Sequence, residues 1–528
     1  MPVTSTIVPP AAATPAAQSF RSASRHDPIP VQGRHVYMVG IGGCGMSGLA
    51  RMLKARGAIV SGSDSSPSVF TQTLQQDKIS VGFDQSKSWL PDDAELVIAS
   101  AAIKPEHPQL LEADRRGILH LNYAEALGWT MVGQTGLCVA GTHGKSTTTA
   151  MLGCCLAAAG LDPNVIVGAN CPQLGGGFKL GSTTIPSGIW HGQPGLMVVE
   201  ACEFNRSFHN YHPKVAAITS VEADHLDVYG SLEAVIEAFH DFAKLIPPAN
   251  EGGTLLIADQ GAHRREITAG LTCRVETIGW SPSADWSVKY DPQSRQTGLV
   301  RKGEGLSAAW TTSLPGQHNA MNAATAAALA ITVGADPDSI ARELSKFTGL
   351  ERRMQFLGER ALQGSAKGVR IYDDYGHHPT EVESTLQALR EFERPEQRGG
   401  RLICVFQPHQ HSRTRHLLEE FAQAFNAADV VIVPHIYFVR DSIEEKAKVT
   451  ASDLVDRLRQ RGVQAMHLYP FEAIIEQLQI VCRPGDLLVV MGAGPVDRVA
   501  HGFLNSGKAV KPKDCGSGGS CGCTGGKA

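Results

Sequence analysis

The residues best equipped for chemistry are Gly141, Thr142, His143, Gly144, Lys145, Ser146 and Thr147, which open the stretch GTHGKSTTT. They follow an apolar run, GLCVA (136–140), and lead into helix-forming residues, AMLGCCLAAAG. A strand, a glycine loop and a helix in that order suit a phosphate group: the glycines turn backbone N–H groups toward an anion, and the helix N-terminus favours negative charge. Lys145 can reach terminal phosphates, and the Ser146 hydroxyl can sit on Mg²⁺. The usual pattern has a glycine five residues before Gly144, where Val139 stands, so the context carries this reading more than the letters do. It is a nucleoside-triphosphate site.

A second glycine loop lies upstream. Gly40-Ile41-Gly42-Gly43-Cys44-Gly45 follows the strand-like HVYMV and continues into Met46 and Ser47, and Asp64 stands nineteen residues after Gly45. This is the dinucleotide fingerprint, in which the acid holds a ribose hydroxyl. An NAD-dependent dehydrogenase would use that loop but would leave GTHGKS without a task. An enzyme that acts on a nucleotide-activated substrate with ATP needs both loops.

Further candidates follow apolar strands. Glu200 ends LMVVE, the usual place for a metal-binding acid, and His225 lies in ADHLD after KVAAITSV. Because Mg²⁺ prefers oxygen ligands, spacing alone does not separate a structural His225 from a ligand. His318, Asn319 and Asn322 stand at the start of a helix of small residues, where asparagines can either read a base edge or cap the helix. In DDYGHHPTE (373–381), Thr380 and Glu383 fit a helix-capping pattern. That leaves Asp374, Tyr375, His377 and His378 at a strand's carboxyl end, and His409 and Arg413 repeat the arrangement in FQPHQHSRT (406–414). Ligands of open parallel sheets bind at that edge.

The elements that must position these residues alternate strand-like and helix-like along 528 residues, which predicts an α/β protein with mainly parallel sheets in about three domains. The boundaries read as a disordered tail over 1–33, a Rossmann-like unit over 34–131 and a central ATP-binding unit over 132–348. A Rossmann-like unit over 349–507 and a flexible Cys/Gly-rich tail over 508–528 complete the chain. EFERPEQRGG (391–400) reads as a charged surface loop. A net charge of −4 gives no reason to expect nucleic acid or an anionic membrane as partner. No apolar run is long enough to span a bilayer. Of twelve cysteines, Cys515, Cys521 and Cys523 lie in the C-terminal tail; the others are scattered, mostly in apolar runs, as in a reducing cytoplasm.

As an ordered set, GIGGCGMSGLA, GTHGKSTTT, EADHLD, GQHNAMNA, LERRMQ, DDYGHHPTE, FQPHQHSRT and VVMGAGP resemble the Mur ligase family, in its alanine-adding branch, over about residues 35–505. The resemblance implies a cytoplasmic amide ligase of peptidoglycan precursor synthesis, a monomer or homodimer, with ATP, Mg²⁺, UDP-N-acetylmuramate and L-alanine as its reactants and cofactors. The nearest alternative is a sister ligase that attaches a whole peptide to the same sugar nucleotide.

The resemblance also distributes roles. The loop from Gly141 to Thr147 takes the ATP phosphates, Ser146, Glu200 and His225 the metal, and Asn319 and Asn322 the adenine. Arg353, or its neighbour Arg352, approaches the γ-phosphate. Gly40, Gly42, Gly43, Gly45, Met46, Ser47 and Asp64 belong to the UDP-sugar site, and Asp374, Tyr375, His377, His409 and Arg413 to the C-terminal active site, with Lys145, Arg353, Asp374 and His377 catalytic. Two departures stand out: EACEFN replaces the family's EADESD, and Gln410 stands where arginine is frequent. His240 occupies the place of the carbamylated lysine that some relatives use, in keeping with the alanine-adding branch.

Overall fold

The computed structural model describes Phe20 and residues 23–362, 364–439 and 441–506. Three sheets organise it. The first holds β1 (His35–Val39), β2 (Ile59–Ser63), β3 (Ser80–Gly82), β4 (Ala94–Ala99) and β5 (Leu119–Asn122). They run parallel in the order β3-β2-β1-β4-β5, so the chain reverses direction across the sheet beside β1. All five residues of β1 are buried, as expected of a strand covered on both faces. The GIGGCG loop leaves its carboxyl end and enters the helix Cys44–Ala55.

The central sheet has ten strands: β6 (Thr135–Ala140), β7 (Asn164–Cys171), β8 (Gly176–Lys179), β9 (Leu196–Glu200), β10 (Val215–Ile218), β11 (Thr254–Ala258), β12 (Arg274–Gly279), β13 (Trp286–Tyr290), β14 (Gln296–Arg301) and β15 (Gly305–Thr311). Their order is β15-β14-β13-β12-β11-β10-β6-β9-β7-β8. β6 is buried at all six positions and sits between β10 and β9, in register with both. The loops that follow Ala140, Glu200 and Ile218 therefore emerge side by side. Only β8 and β14 run against the other strands, and the antiparallel pairings lie at the two ends of the sheet.

The third sheet holds β16 (Gln355–Arg360), β17 (Val369–Asp374), β18 (Leu402–Phe406), β19 (Val430–Val433), β20 (Gln464–His467) and β21 (Leu487–Met491), in the order β16-β17-β21-β18-β19-β20. β16 alone is antiparallel to its neighbour. Asp374 and Phe406 both pair with Met491, so the loops after β17 and β18 also leave one edge together. The expectation of an α/β protein with mainly parallel sheets holds.

Two local expectations need correction. Order begins before residue 34: Phe20 is buried, its ring edge-on to Trp129 at 6.0 Å, and Trp129 Nε1 donates to the Asp27 carbonyl at 2.9 Å. An aromatic residue with an apolar socket outweighs the Pro/Ala-rich composition around it. Within 391–400, the helix Pro379–Glu393 and a 3₁₀ turn at Pro395–Arg398 leave little open loop. The C-terminal tail with Cys515, Cys521 and Cys523 lies outside the described residues. Among those described, no helix is long and apolar enough to cross a membrane.

Truncating Phe20 removes a buried aromatic ring from the first unit. Phe20→Ala is expected to destabilise that unit by about 3 kcal/mol, read as faster amide exchange in the helix Tyr123–Met131. Unchanged exchange there would mean that Phe20 contributes no packing.

Candidate active site

The phosphate loop is fixed by its neighbours on β10. Thr142 N–H donates to the Ser220 carbonyl (2.8 Å), His143 N–H to the Ser220 hydroxyl (3.1 Å), and Glu222 N–H to the Thr142 hydroxyl (2.9 Å). Gly141 and Gly144 have φ of +132° and +80°, a region that disfavours side chains. A Cβ on Gly144 would also stand 2.4 Å from Asn322 Oδ1. The helix Lys145–Ala158 begins directly after, with its first N–H groups at the loop.

Lys145 Nζ donates to the carbonyls of Gly141 (2.6 Å) and Thr142 (3.0 Å) and pairs with Glu203 at 2.9 Å. Burial opposes its charge, but Glu203 outweighs burial and holds the ammonium above its ordinary pKa. Sequence reasoning missed Glu203. The signal was present: it is the acid that EACEFN retains. Around it Cys202 is a neutral thiol, pushed up to about 12 by burial, and the Tyr229 hydroxyl donates to the Glu203 carbonyl. Asn205 and Arg206 take left-handed backbone, which turns the segment sharply.

Ser146 Oγ donates to Glu200 Oε1 at 3.0 Å, and Gly168 N–H donates to Glu200 Oε2 at 2.7 Å. A hydroxyl beside a carboxylate at a phosphate loop is an oxygen donor set that suits Mg²⁺. His225 stands close enough to this site for Glu203 and Lys145 to act on its charge. It starts the short helix Leu226–Tyr229 with φ +53°, its ring lies edge-on to Phe204 at 5.0 Å, and it lines a separate small cleft with Asp224 and Arg413. Burial lowers its pKa.

A cavity of about 290 Å³ opens between the phosphate loop and the third unit, lined by Lys145, Ser146, Glu200, Asn319, Asn322 and Arg353 among others. The asparagines do not cap their helix, whose N-cap is Gly316. Asn319 Nδ2 donates to the Pro315 carbonyl (2.8 Å) and Asn322 Oδ1 accepts from the Thr148 hydroxyl (3.3 Å). His318 lines the same cavity, pushed down to about 4 by burial and therefore neutral. The two arginines divide. Arg353 faces the cavity beside Glu381 (3.5 Å), whereas Arg352 is tied to Asp373 (3.3 Å) and to the carbonyls of Gly492 and Gly494 (2.7 and 3.1 Å).

The loops after β17 and β18 come together as expected. The rings of Tyr375 and His377 are 5.6 Å apart, His377 and His409 are 5.6 Å apart, and Arg413 Nη1 lies 3.2 Å from His409 Nδ1. His377 Nδ1 faces the Tyr375 carbonyl at 3.1 Å and so carries the proton, which leaves Nε2 as the acceptor. Burial pushes this imidazole down to about 4. Asp374 is a positioning group in this geometry: its oxygens accept N–H bonds from Met354 (2.7 Å) and Gly376 (2.6 Å), and burial pushes it up to about 6. Arg413 pairs with Asp224 of the central unit at 2.8 Å, both side chains nearly buried. Gln410 is itself buried, with φ +67°, and its N–H donates to the Tyr437 carbonyl at 3.1 Å.

The capping expectation at Thr380 and Glu383 is wrong by two residues. His378 is the N-cap, its Nδ1 accepting from Thr380 N–H at 3.3 Å, and the Glu381 carboxylate accepts the His378 N–H in return. Thr380 Oγ1 instead donates to Glu222 Oε2 across the seam at 2.8 Å. His143 stands between two carboxylates, 3.5 Å from Glu222 and 3.3 Å from Glu381. Burial opposes its charge, yet the two acids hold it up to about 9.

In the first unit, Gly42 N–H donates to Asp64 Oδ2 at 2.8 Å and Ser65 N–H to Asp64 Oδ1 at 2.8 Å, so Asp64 braces the glycine loop itself. Met46 is packed in the core. Ser47 lines a cleft of about 220 Å³ between the first and central units, together with Arg51, Asn170, Gly176 and Glu351. Gly40, Gly42, Gly43 and Gly45 are not among the residues lining that cleft.

Three family descriptions match in series: the Mur ligase family catalytic domain over residues 35–135, the Mur ligase middle domain over 139–330, and the Mur ligase glutamate ligase domain over 352–494. A UDP-N-acetylmuramate–L-alanine ligase of Mycobacterium sp. (strain JLS) is 40% identical over 484 residues, covering 89% of this chain and 94% of that one. The chain belongs to the Mur ligase family. Another relative of this Mur ligase, the protein of the same description from Agathobacter rectalis, is 36% identical and covers 89% of this chain and 97% of its own length. Among solved structures, UDP-N-acetylmuramate–alanine ligase from Thermotoga maritima shares the fold with a TM-score of 0.71, at 23% identity, over 89% of this chain and 98% of that one.

The separate anchoring of the two arginines has a measurable consequence for this Mur ligase. Arg353→Ala is expected to lower kcat at least about 100-fold, as loss of a transition-state arginine does, with little change in Tm. Arg352→Ala is expected to lower Tm, because it leaves Asp373 buried and unpaired. Reversed effects would exchange the two assignments.

Proposed function

We propose that this chain joins L-alanine to the lactyl carboxylate of UDP-N-acetylmuramate at the expense of ATP, in peptidoglycan precursor synthesis in the cytoplasm. The observation that carries the reading is the apposition of the phosphate loop with the third unit's loops, joined by the Asp224–Arg413 pair. Relatives at 34–40% identity that carry the L-alanine ligase name support the choice of amino acid.

Amide formation needs a better leaving group than oxide. The lactyl carboxylate takes the γ-phosphoryl group of ATP, giving an acyl phosphate and ADP; the alanine amine adds to the carbonyl, and the tetrahedral intermediate expels phosphate. Lys145, kept protonated by Glu203, and Arg353 supply positive charge to the transferring group. Ser146 and Glu200 would hold Mg²⁺, which neutralises charge on the phosphate oxygens when bound. His377 Nε2 takes the amine proton, and its low pKa keeps it in the accepting form at neutral pH. Tyr375, His409 and Arg413 form the alanine site. Asn319 and Asn322, which line the cavity beside the phosphate loop, take the adenine. The UDP-sugar occupies the first unit's glycine loop and the Ser47 cleft. The closed seam shields the acyl phosphate from water.

Phosphate release is expected only when ATP, UDP-N-acetylmuramate and L-alanine are all present, and to be abolished in Lys145→Ala with the fold intact. Equal release with ATP alone would overturn the ligase reading. A preference for a tripeptide over L-alanine in competition would assign the peptide-adding branch.

A further inference from the structure

His143, Glu222 and His378 meet at the seam between the central and third units, with His143 and Glu222 on the wall of the cavity that Ser146 and Glu200 also line. Each offers one ligand-type atom, and these atoms lie within 4.8 Å of one another. His143 Nε2 is 3.5 Å, and His378 Nδ1 4.0 Å, from the same Glu222 oxygen. The two rings are 4.9 Å apart. Neither nitrogen of His143, both of them buried, makes a directed hydrogen bond. Buried imidazole nitrogens without directed partners need a reason.

The surrounding groups supply one. A metal-bound histidine ordinarily donates its other ring N–H to a carboxylate, which fixes ring and tautomer. Glu381 Oε1 stands at that position, 3.3 Å from His143 Nδ1. Two imidazoles and a carboxylate suit a borderline-soft ion such as Zn²⁺ rather than Mg²⁺. Tetrahedral ligands at Zn²⁺ distances lie roughly 3.4 Å apart; the two separations to Glu222, 3.5 and 4.0 Å, are near that value, and the two imidazoles, whose nitrogens lie within 4.8 Å, must draw together around the ion. The long bond from Thr380 N–H to His378 Nδ1, 3.3 Å, must yield, and Glu222 Oε2 must share its lone pairs between the ion and the Thr380 hydroxyl.

We propose that His143, Glu222 and His378 form a second metal site, selective for Zn²⁺ or a similar transition ion, with Glu381 orienting His143. The carboxylates that favour a proton on His143 equally favour a cation in its place. Two ligands come from the central unit and one from the third, so a bound ion ties the units shut. Zinc is therefore an inhibitor, since turnover requires the units to part and release product.

The test uses the full chain, stripped with chelator and free of nucleotide. Zn²⁺ alone is titrated by calorimetry, and Co²⁺ alone is followed by its visible absorption, which is strong only in a four-coordinate site. One equivalent of Zn²⁺ is expected to bind. Glu222→Gln and His378→Asn should each weaken it at least about tenfold, Glu381→Gln about tenfold through His143, and Glu200→Gln not at all. Asparagine at position 378 preserves the helix cap, so loss of binding there is not loss of fold, and circular dichroism checks this. Absence of Zn²⁺ binding overturns the proposal. So does binding that survives His378→Asn and disappears in Glu200→Gln.

Discussion

The candidate active site exists only while two units hold together, and the Asp224–Arg413 pair, nearly buried, ties one to the other. Burial opposes ionisation of Asp224, but the guanidinium outweighs it and holds the carboxyl far below its ordinary range. Removing either partner would leave a buried charge alone, at a cost of about 3–5 kcal/mol. The rest of the seam repeats the principle with Thr380–Glu222 and His143–Glu381. A seam of ionised groups behaves differently from an apolar one. Its charges regain hydration when the units part, so the contact can be both specific and reversible, as a catalytic cycle of closure and release requires.

The same logic runs through the phosphate loop. An ammonium as buried as Lys145 would lose its proton without compensation, and Glu203 with two loop carbonyls provides it. The residue therefore keeps its positive charge at the mouth of the glycine loop. The altered EACEFN run keeps this function because it keeps Glu203, while Cys202 remains a neutral thiol and Phe204 packs against His225. The sequence change thus falls on packing around the lysine more than on its charge partner.

Both glycine loops and most parallel strands are legible in the sequence because their signals are local: an apolar run, then residues that only a phosphate loop or a tight turn needs. β16, β14 and β15 are not, since each belongs to an antiparallel pairing at or next to a sheet edge, where half-exposed residues acquire a pattern only beside a partner strand. Glu203, Glu222 and Glu381 look like ordinary surface acids until the fold buries them against Lys145 and His143. The misread cap has a similar cause. Histidine is a rare N-cap, so Thr380 looks the better candidate, but Thr380 is drawn away by Glu222. Asp64 carries the right spacing for a ribose contact and is used to brace its own loop.

The short segment Arg352-Arg353-Met354 shows why neighbouring, chemically identical residues cannot be assigned by type. Arg352 and Met354 both adopt left-handed backbone, with φ of +57° and +46°, a conformation that costs of order 1 kcal/mol or more for each side chain. Two bonds offset that strain: Asp374 accepts the Met354 N–H, and Tyr375 N–H donates to the Arg352 carbonyl at 2.6 Å. The alternation of backbone conformation sends Arg352 into the third sheet and Arg353 into the cavity between units. Asp374 thereby helps to aim the neighbouring arginine, and the strained junction at which the third unit begins is also the point that presents a guanidinium to the cavity lined by the phosphate loop.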